Sequence, residues 1–187
     1  MIEVTVSEVT FSPNQGGYVV ILREKDSERW LPIFIGPGEA QSIAVNLRGG
    51  QLQRPLTFDL IAGLLRALDG RVRSVQISRL HESTFYADVL LERPDGQVLR
   101  LDARPSDAIP LALRLGLPVW VKAEVMDAAG QQGYPQMVPL EERILQLEGE
   151  LEDAVTKEDF EAAARLRDQI RYYRNLIQPE DEEDSRT

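Results

Sequence analysis

Ile2, Val4 and Val6 alternate with polar neighbours, the two-residue period of a strand with one buried face. The same period returns over Tyr18 to Arg23, after an Asn14-Gln15-Gly16-Gly17 turn, and over Trp30 to Ile35, after the charged turn Glu24-Lys25-Asp26-Ser27-Glu28. Gly36-Pro37-Gly38 breaks that third strand, and a longer period predicts a helix over Glu39 to Leu47, closed by Gly49-Gly50. A second helix follows Arg54-Pro55-Leu56, with Thr57 as its N-cap and Leu60, Ile61, Leu64, Leu65 and Leu68 as its buried stripe. Three strands come next, over Val72 to Leu80, Thr84 to Glu92 and Gln97 to Ala103, the last two joined by the turn Pro94-Asp95-Gly96. Pro105 cannot donate to a sheet ladder, so the last strand stops there. The period then changes to Ala108, Leu111, Ala112 and Leu115, a helical face. Ser106 is its expected N-cap, Asp107 and Pro110 fall in its expected first turn, and Gly116 and Pro118 end it. A short strand over Pro118 to Lys122 and a short helix over Ala123 to Ala129 follow.

Strands and helices are mixed without regular strand–helix–strand alternation. The expected fold class is therefore α+β, a mixed or antiparallel sheet with helices packed on it. This domain spans residues 1–130, and residues 131–139, with Gly133, Pro135 and Pro139, read as a linker. Beyond it, Leu140, Ile144, Leu147, Leu151 and Val155 fall on one helical face, and Phe160, Ala163, Leu166, Ile170, Tyr173 and Ile177 on another. Thr156, the expected N-cap of the second helix, separates the two, so residues 140–178 read as an αα-hairpin. Under forty residues cannot bury both faces alone, so the hairpin is expected to pack on a second copy, on the main domain or on a partner. Residues 179–187, with Glu180-Asp181-Glu182-Glu183-Asp184, read as a solvated acidic tail.

Charge separates these regions further. Residues 1–136 carry 14 Lys and Arg against 16 Asp and Glu, while residues 137–187 carry 7 against 15, so most of the net charge of −10 lies in the C-terminal part. The main domain lacks the overall basic footprint of a tight, nonspecific nucleic-acid binder. Twelve of its 14 cations are arginines, the residue suited to phosphate, although base composition of the genome accounts for the same bias. The absence of cysteine rules out disulfides, thiolate metal sites and cysteine nucleophiles. No apolar run reaches the length of a membrane span, and the first residues read as a strand rather than a signal peptide; a cytoplasmic location is the expectation.

Three segments in this order resemble the bifunctional nuclease family: Leu31-Pro32-Ile33-Phe34-Ile35-Gly36 with Glu39-Ala40, Arg54-Pro55-Leu56-Thr57-Phe58-Asp59-Leu60, and the block from Leu101-Asp102-Ala103-Arg104-Pro105-Ser106-Asp107 through Ala112-Leu113-Arg114. Ala154 to Ile170 resembles the UVR motif, the helical interaction module of the UvrB and UvrC repair proteins and of some stress-response partners. The resemblance implies a bacterial homodimer with nuclease activity on RNA and DNA, carrying a partner-binding hairpin. One position departs from the family pattern: Phe58 stands where histidine is most often expected, so that imidazole is missing. The single histidine, His81, falls at a strand end and is expected to face solvent.

A nuclease without histidine or cysteine chemistry would use carboxylates to hold Mg²⁺ or Mn²⁺ and activate water. Asp59, Asp102 and Asp107 are the candidate metal ligands, with Asp59, Asp107 and Glu39 as the catalytic set. Arg54 and Arg104 are candidates for holding phosphate bidentately, with Ser106 beside them. Phe160, Leu166 and Ile170 are the expected partner-binding residues of the hairpin. Structural roles compete at each position: first-turn placement on a helix dipole for Glu39 and Asp59, a salt bridge to Arg54 or Arg104 for Asp102, and a plain strand-to-helix turn for Gly36-Pro37-Gly38. No serine triad, zinc signature or dinucleotide fingerprint is present. Two functions stand at this point: a metal-dependent nuclease acting on RNA or single-stranded DNA and recruited through the hairpin, or a non-catalytic dimeric adaptor of stress-response type.

Overall fold

A computed structural model describes residues 1–12, 16–49, 54–133 and 138–177. Eight strands, β1 (Ile2–Ser12), β2 (Gly17–Glu24), β3 (Arg29–Ile35), β4 (Arg71–His81), β5 (Thr84–Glu92), β6 (Val98–Ala103), β7 (Val119–Val121) and β8 (Gln131–Gln132), form one sheet in the order β6-β5-β4-β7-β1-β2-β3-β8. Only β4 and β7 run parallel; the other pairs are antiparallel, so the sheet is mixed and the α+β expectation holds. Among the described residues six helices accompany it: α1 (Pro37–Leu47), α2 (Thr57–Ala67), α3 (Pro105–Leu115), α4 (Ala123–Ala129), α5 (Leu140–Thr156) and α6 (Phe160–Ile177). No described helix is long and apolar enough to cross a membrane.

The alternation read from the sequence decides which face of each strand is buried. Val20, Leu22, Leu31, Val75, Ile77, Ala87 and Val89 point to one side of the sheet, where they meet Ala40 and Ile43 of α1 and Ile109 and Ala112 of α3 in a continuous core. Val19, Ile21 and Trp30 form a second, small cluster on the other face. Register breaks in β1 between Val6 and Glu8, and in β4 between Val72 and Ser74 and between Ile77 and Arg79, bend these strands. The sheet curls enough that α4 packs against both β3 and β4, although three strands lie between them.

Helix starts differ from the sequence expectation, earlier at α2 and α3 and later at α6. α3 begins at Pro105 with Arg104 as N-cap, so Ser106 is the second helical residue and not the cap. Proline is favoured at that first position because its missing N–H would be unpaired there anyway. Pro110 consequently falls in the second turn, where it withholds an N–H from the Ser106 carbonyl. α2 likewise starts at Thr57 with Leu56 as N-cap, and the capping role passes to Asp59, whose Oδ2 accepts the Leu56 N–H at 2.8 Å. Thr156 closes α5 and donates to the Glu152 carbonyl; Asp159 caps α6 by accepting the Ala162 N–H at 3.0 Å. Gly116 ends α3 in the left-handed region at φ 65°, as the sequence predicts.

The helical hairpin packs on the main domain. Leu140, Leu147, Ile170 and Tyr173 belong to the same core as the sheet, and Tyr173 packs its ring against Phe11 at 5.8 Å and Tyr18 at 5.6 Å. The expected linker contributes to this: Gln131–Gln132 pairs with β3, and the Thr10 hydroxyl donates to the Val138 carbonyl at 2.7 Å. The acidic tail, the Asn14-Gln15 part of the first turn, Gly50 and Pro135 lie outside the described residues.

Candidate active site

Glu39, Arg104 and Ser106 line one pocket of about 430 Å³ where three chain segments meet. The end of β3 and the first turn of α1 form one wall, the turn between β4 and β5 a second, and the corner from β6 into α3 the third. The β4–β5 turn places two non-glycine residues in the left-handed region, Glu82 at φ 46° and Ser83 at φ 65°. Such a turn matches the twist of its strands at the cost of local strain.

Each side chain is set by its element. Gly36 is the N-cap of α1 and Pro37 its first residue, which puts Glu39 in the first turn. The Glu39 carboxylate folds back over Gly36: a Cβ there would stand 2.5 Å from Oε2, so the glycine makes room for the carboxylate. Arg104 donates from Nε to Asp107 Oδ2 at 2.7 Å and from Nη2 to Oδ1 at 3.1 Å, a two-point grip that fixes the guanidinium plane. Its Nη2 also stands 3.7 Å from Glu39 Oε1. The Asp107 hydrogen bonds first, and then the charges of Asp107 and Glu39, strengthen its hold on the proton. The Arg104 side chain is still 70% exposed, with a large part of the guanidinium free to meet a ligand. Ser106 is buried at the base, and its hydroxyl bonds to no described residue.

Two aromatic residues complete the pocket. Phe34 is 46% exposed at the mouth, and Phe85 is half-buried in the wall. By sequence pattern both are strand residues. The signal for Phe34 was present: in β3 it sits between Ile33 and Ile35, on the opposite face from both. From behind, the Tyr172 hydroxyl of α6 donates to the Pro37 carbonyl, so the helical hairpin buttresses the turn that carries Glu39. Burial, then the neighbouring Tyr173 and Glu39, push the Tyr172 phenol up to about 12.

The expected metal set is not assembled. Asp59 anchors α2 and pairs through Oδ1 with Arg114 of α3, and Asp107 is held by Arg104. Asp102 lies across from Asp88 in the β5–β6 ladder and lines a different cleft. Among the described residues no three carboxylate or imidazole groups come together to hold a metal ion. The residues present therefore do not fit the Mg²⁺ or Mn²⁺ site expected from Asp59, Asp102 and Asp107. Arg54 is exposed ahead of α2 and does not line the pocket, and Asp102 makes no salt bridge to it or to Arg104. His81 is exposed at the end of β4, as expected. Of the expected partner-binding residues, Phe160 is 71% exposed, Leu166 is half-buried and Ile170 is buried in the shared core.

Comparison with known proteins gives two family matches in order: the bifunctional nuclease domain over residues 20–133 and the UvrB/UvrC motif over residues 141–176. An uncharacterized protein of Mycobacterium tuberculosis is 36% identical over 165 residues, covering 86% of this chain and 98% of its own. Bifunctional nuclease 1 of rice (Oryza sativa subsp. indica) is 25% identical over 109 residues, 57% of this chain and 33% of its own. Bifunctional nuclease 1 of Arabidopsis thaliana is 23% identical over 105 residues, 55% of this chain and 32% of its own.

Proposed function

Because the chain belongs to the bifunctional nuclease domain family and carries a UVR motif behind that domain, we propose that it hydrolyses phosphodiester bonds in RNA and single-stranded DNA at the Glu39–Arg104–Ser106 pocket. The observation that carries this reading is the convergence of these three groups between Phe34 and Phe85. Aromatic faces stack unpaired bases without regard to sequence, which favours single strands over duplexes. Arg104, already oriented by Asp107, meets the phosphate and neutralises charge that develops on its oxygens. Glu39 takes a proton from the attacking water as the new O–P bond forms and the bond to the leaving sugar oxygen breaks. The Ser106 hydroxyl donates to a phosphate oxygen, and the leaving oxygen takes its proton from solvent through the open mouth. The products are a phosphate monoester and a free hydroxyl. Recruitment falls to the tip of the helical hairpin, where Val155 and Phe160 are exposed while Ile144, Leu147, Leu151, Leu166, Ile170 and Tyr173 are used within the chain. The test is cleavage of 5′-labelled single-stranded RNA and DNA by the purified protein. Phe34→Ala is expected to raise KM about tenfold, from the ~1–3 kcal/mol that stacking contributes per base. Cleavage unaffected by Phe34→Ala and Arg104→Ala together would refute the assignment.

A second reading draws on α2, whose Leu60, Leu64 and Leu68 form an exposed stripe at four-residue spacing. In a non-catalytic homodimeric adaptor this stripe packs against its copy in the second chain. The two readings separate on cleavage, which the adaptor lacks, and share the dimer.

A further inference from the structure

The outer face of β4, β5 and β6 carries a second cleft, about 540 Å³ in volume, with α4 as one wall. Strand alternation sets which side chains line it, and the end of β6 at Ala103 frees Arg104 to turn elsewhere. Ala87 and Val89 face the core, so Tyr86 and Asp88 face outward. Asp102 points into this cleft, while Arg104, two residues on, points into the other.

Charges of both signs meet here, and only two of them pair. Asp88 is 8% exposed and accepts from Arg100 Nη1 at 3.2 Å. Asp102 stands directly opposite Asp88 across the strand pair, an arrangement of like charges that costs stability. Among the described residues Asp102 and Glu124 have no cationic partner and Lys122 has no anionic one; Arg79 contacts only the Tyr86 ring, 4.1 Å from its centroid. Folding gains nothing from leaving four such groups around one cavity. A ligand with an anionic group, hydroxyl donors and a flat ring would use all of them.

We propose that this cleft binds a ribonucleotide unit. The phosphate sits between Lys122 and Arg79, which stand on one side of the cleft's chemistry as its uncommitted cations. The base stacks on the outer face of the Arg79 guanidinium, whose inner face already lies on Tyr86. The Asp102 carboxylate accepts from the ribose hydroxyls, since carboxylates offer acceptors only and hydroxyls supply the donors. An inorganic anion would leave Asp102 and Glu124 repelling it, and a simple sugar would leave Lys122 and Arg79 unmatched. β6 is an edge strand and Arg104 follows Asp102 by only two residues, so a chain engaged at Arg104 reaches this cleft by rounding that edge. The choice of a nucleotide within RNA rests on the nuclease reading; binding of the isolated nucleotide does not.

Isothermal titration of the full chain with 5′-AMP, 2′-deoxy-5′-AMP, inorganic phosphate and a five-residue oligoadenylate RNA tests this without turnover of the mononucleotides. The expected order is AMP tighter than deoxy-AMP by about tenfold, the worth of a hydrogen bond to a charged group, with inorganic phosphate weakest. In an Arg104→Ala background, which removes the phosphate contact of the first pocket, Lys122→Met and Asp102→Asn each weaken AMP about tenfold, again from one charge-assisted contact apiece, while Arg165→Ala on the exposed face of α6 leaves AMP binding unchanged. Tighter binding of the pentamer than of AMP, lost in Arg104→Ala, marks RNA spanning both sites; equal binding marks a free-nucleotide site. The proposal is overturned if AMP binds no better than phosphate, if deoxy-AMP equals AMP, or if Lys122→Met leaves AMP binding in the Arg104→Ala background unchanged. Intact cleavage alongside any of these would leave the nuclease reading standing while removing this one.

Discussion

Asp59→Ala separates a structural carboxylate from a catalytic one. Asp59 Oδ2 accepts the Leu56 N–H at the start of α2, and Oδ1 faces the Arg114 guanidinium of α3. Losing the capping contact costs about 1 kcal/mol. The ion pair is partly screened, its side chains being 36% and 23% exposed, so it adds about 1 kcal/mol at most. A total near 2 kcal/mol lowers Tm by about 4–8 °C in a chain of this size. Asp59→Asn keeps an acceptor for the cap and loses only the charge, so it falls about halfway. A double-mutant cycle with Arg114→Met, followed by thermal and urea unfolding, should return a coupling of about 1 kcal/mol. RNA cleavage measured well below Tm should stay within a few-fold of wild type in both Asp59 variants. Unchanged stability together with cleavage lost by a hundredfold would refute the reasoning and make Asp59 a reacting group.

Tyr173→Ala removes a buried ring that touches Phe11 and Tyr18 and should cost about 3–5 kcal/mol, read by urea unfolding, with hydrogen exchange rising first in α5 and α6. Alkaline pH should loosen the same contact. The Tyr172 phenol keeps its proton up to about 12 in the folded chain, so between its ordinary value and that point the folded state binds more protons and stability falls as pH rises. Absorbance at 295 nm and unfolding midpoints follow this directly, and Tyr172→Phe should flatten that part of the slope. Leu64→Glu places a charge in the exposed α2 stripe; on the proposed homodimeric reading it shifts the chain to monomer in sedimentation without lowering Tm, and an unchanged sedimentation coefficient would count against a dimer through α2.

Much of the scaffold was legible because period and punctuation agreed. The alternation of Val75, Ile77, Ala87 and Val89 gave the buried face of the central strands, and Gly116 gave the end of α3. Helix starts were less legible because Ser and Thr beside a proline offer two competing signals, and proline at the first helical position won at Pro105. The site was half legible. Glu39, Arg104 and Ser106 are far apart in sequence yet meet in one pocket, as three helix starts and strand ends sharing a rim suggested. The expected metal ligands are kept apart for a reason local sequence hides. Asp102 lies opposite Asp88 within β6, the strand ends before Arg104, and Arg114 and Arg104 engage Asp59 and Asp107. Phe85 was hidden because an aromatic in a strand reads as core, whereas the alternation of Phe34 against Ile33 and Ile35 marked it as facing outward. The hairpin's resting place was equally hidden, since its apolar stripe fits any matching surface.

The most direct test of the account is single-turnover cleavage of a labelled single-stranded RNA by Glu39→Gln, with RNA affinity measured in parallel. Removing a general base lowers the rate by about 10²–10⁴, and the account predicts a loss in that range with affinity unchanged, since the amide keeps the shape of the first turn of α1. Wild-type cleavage by Glu39→Gln, at wild-type affinity, would contradict it.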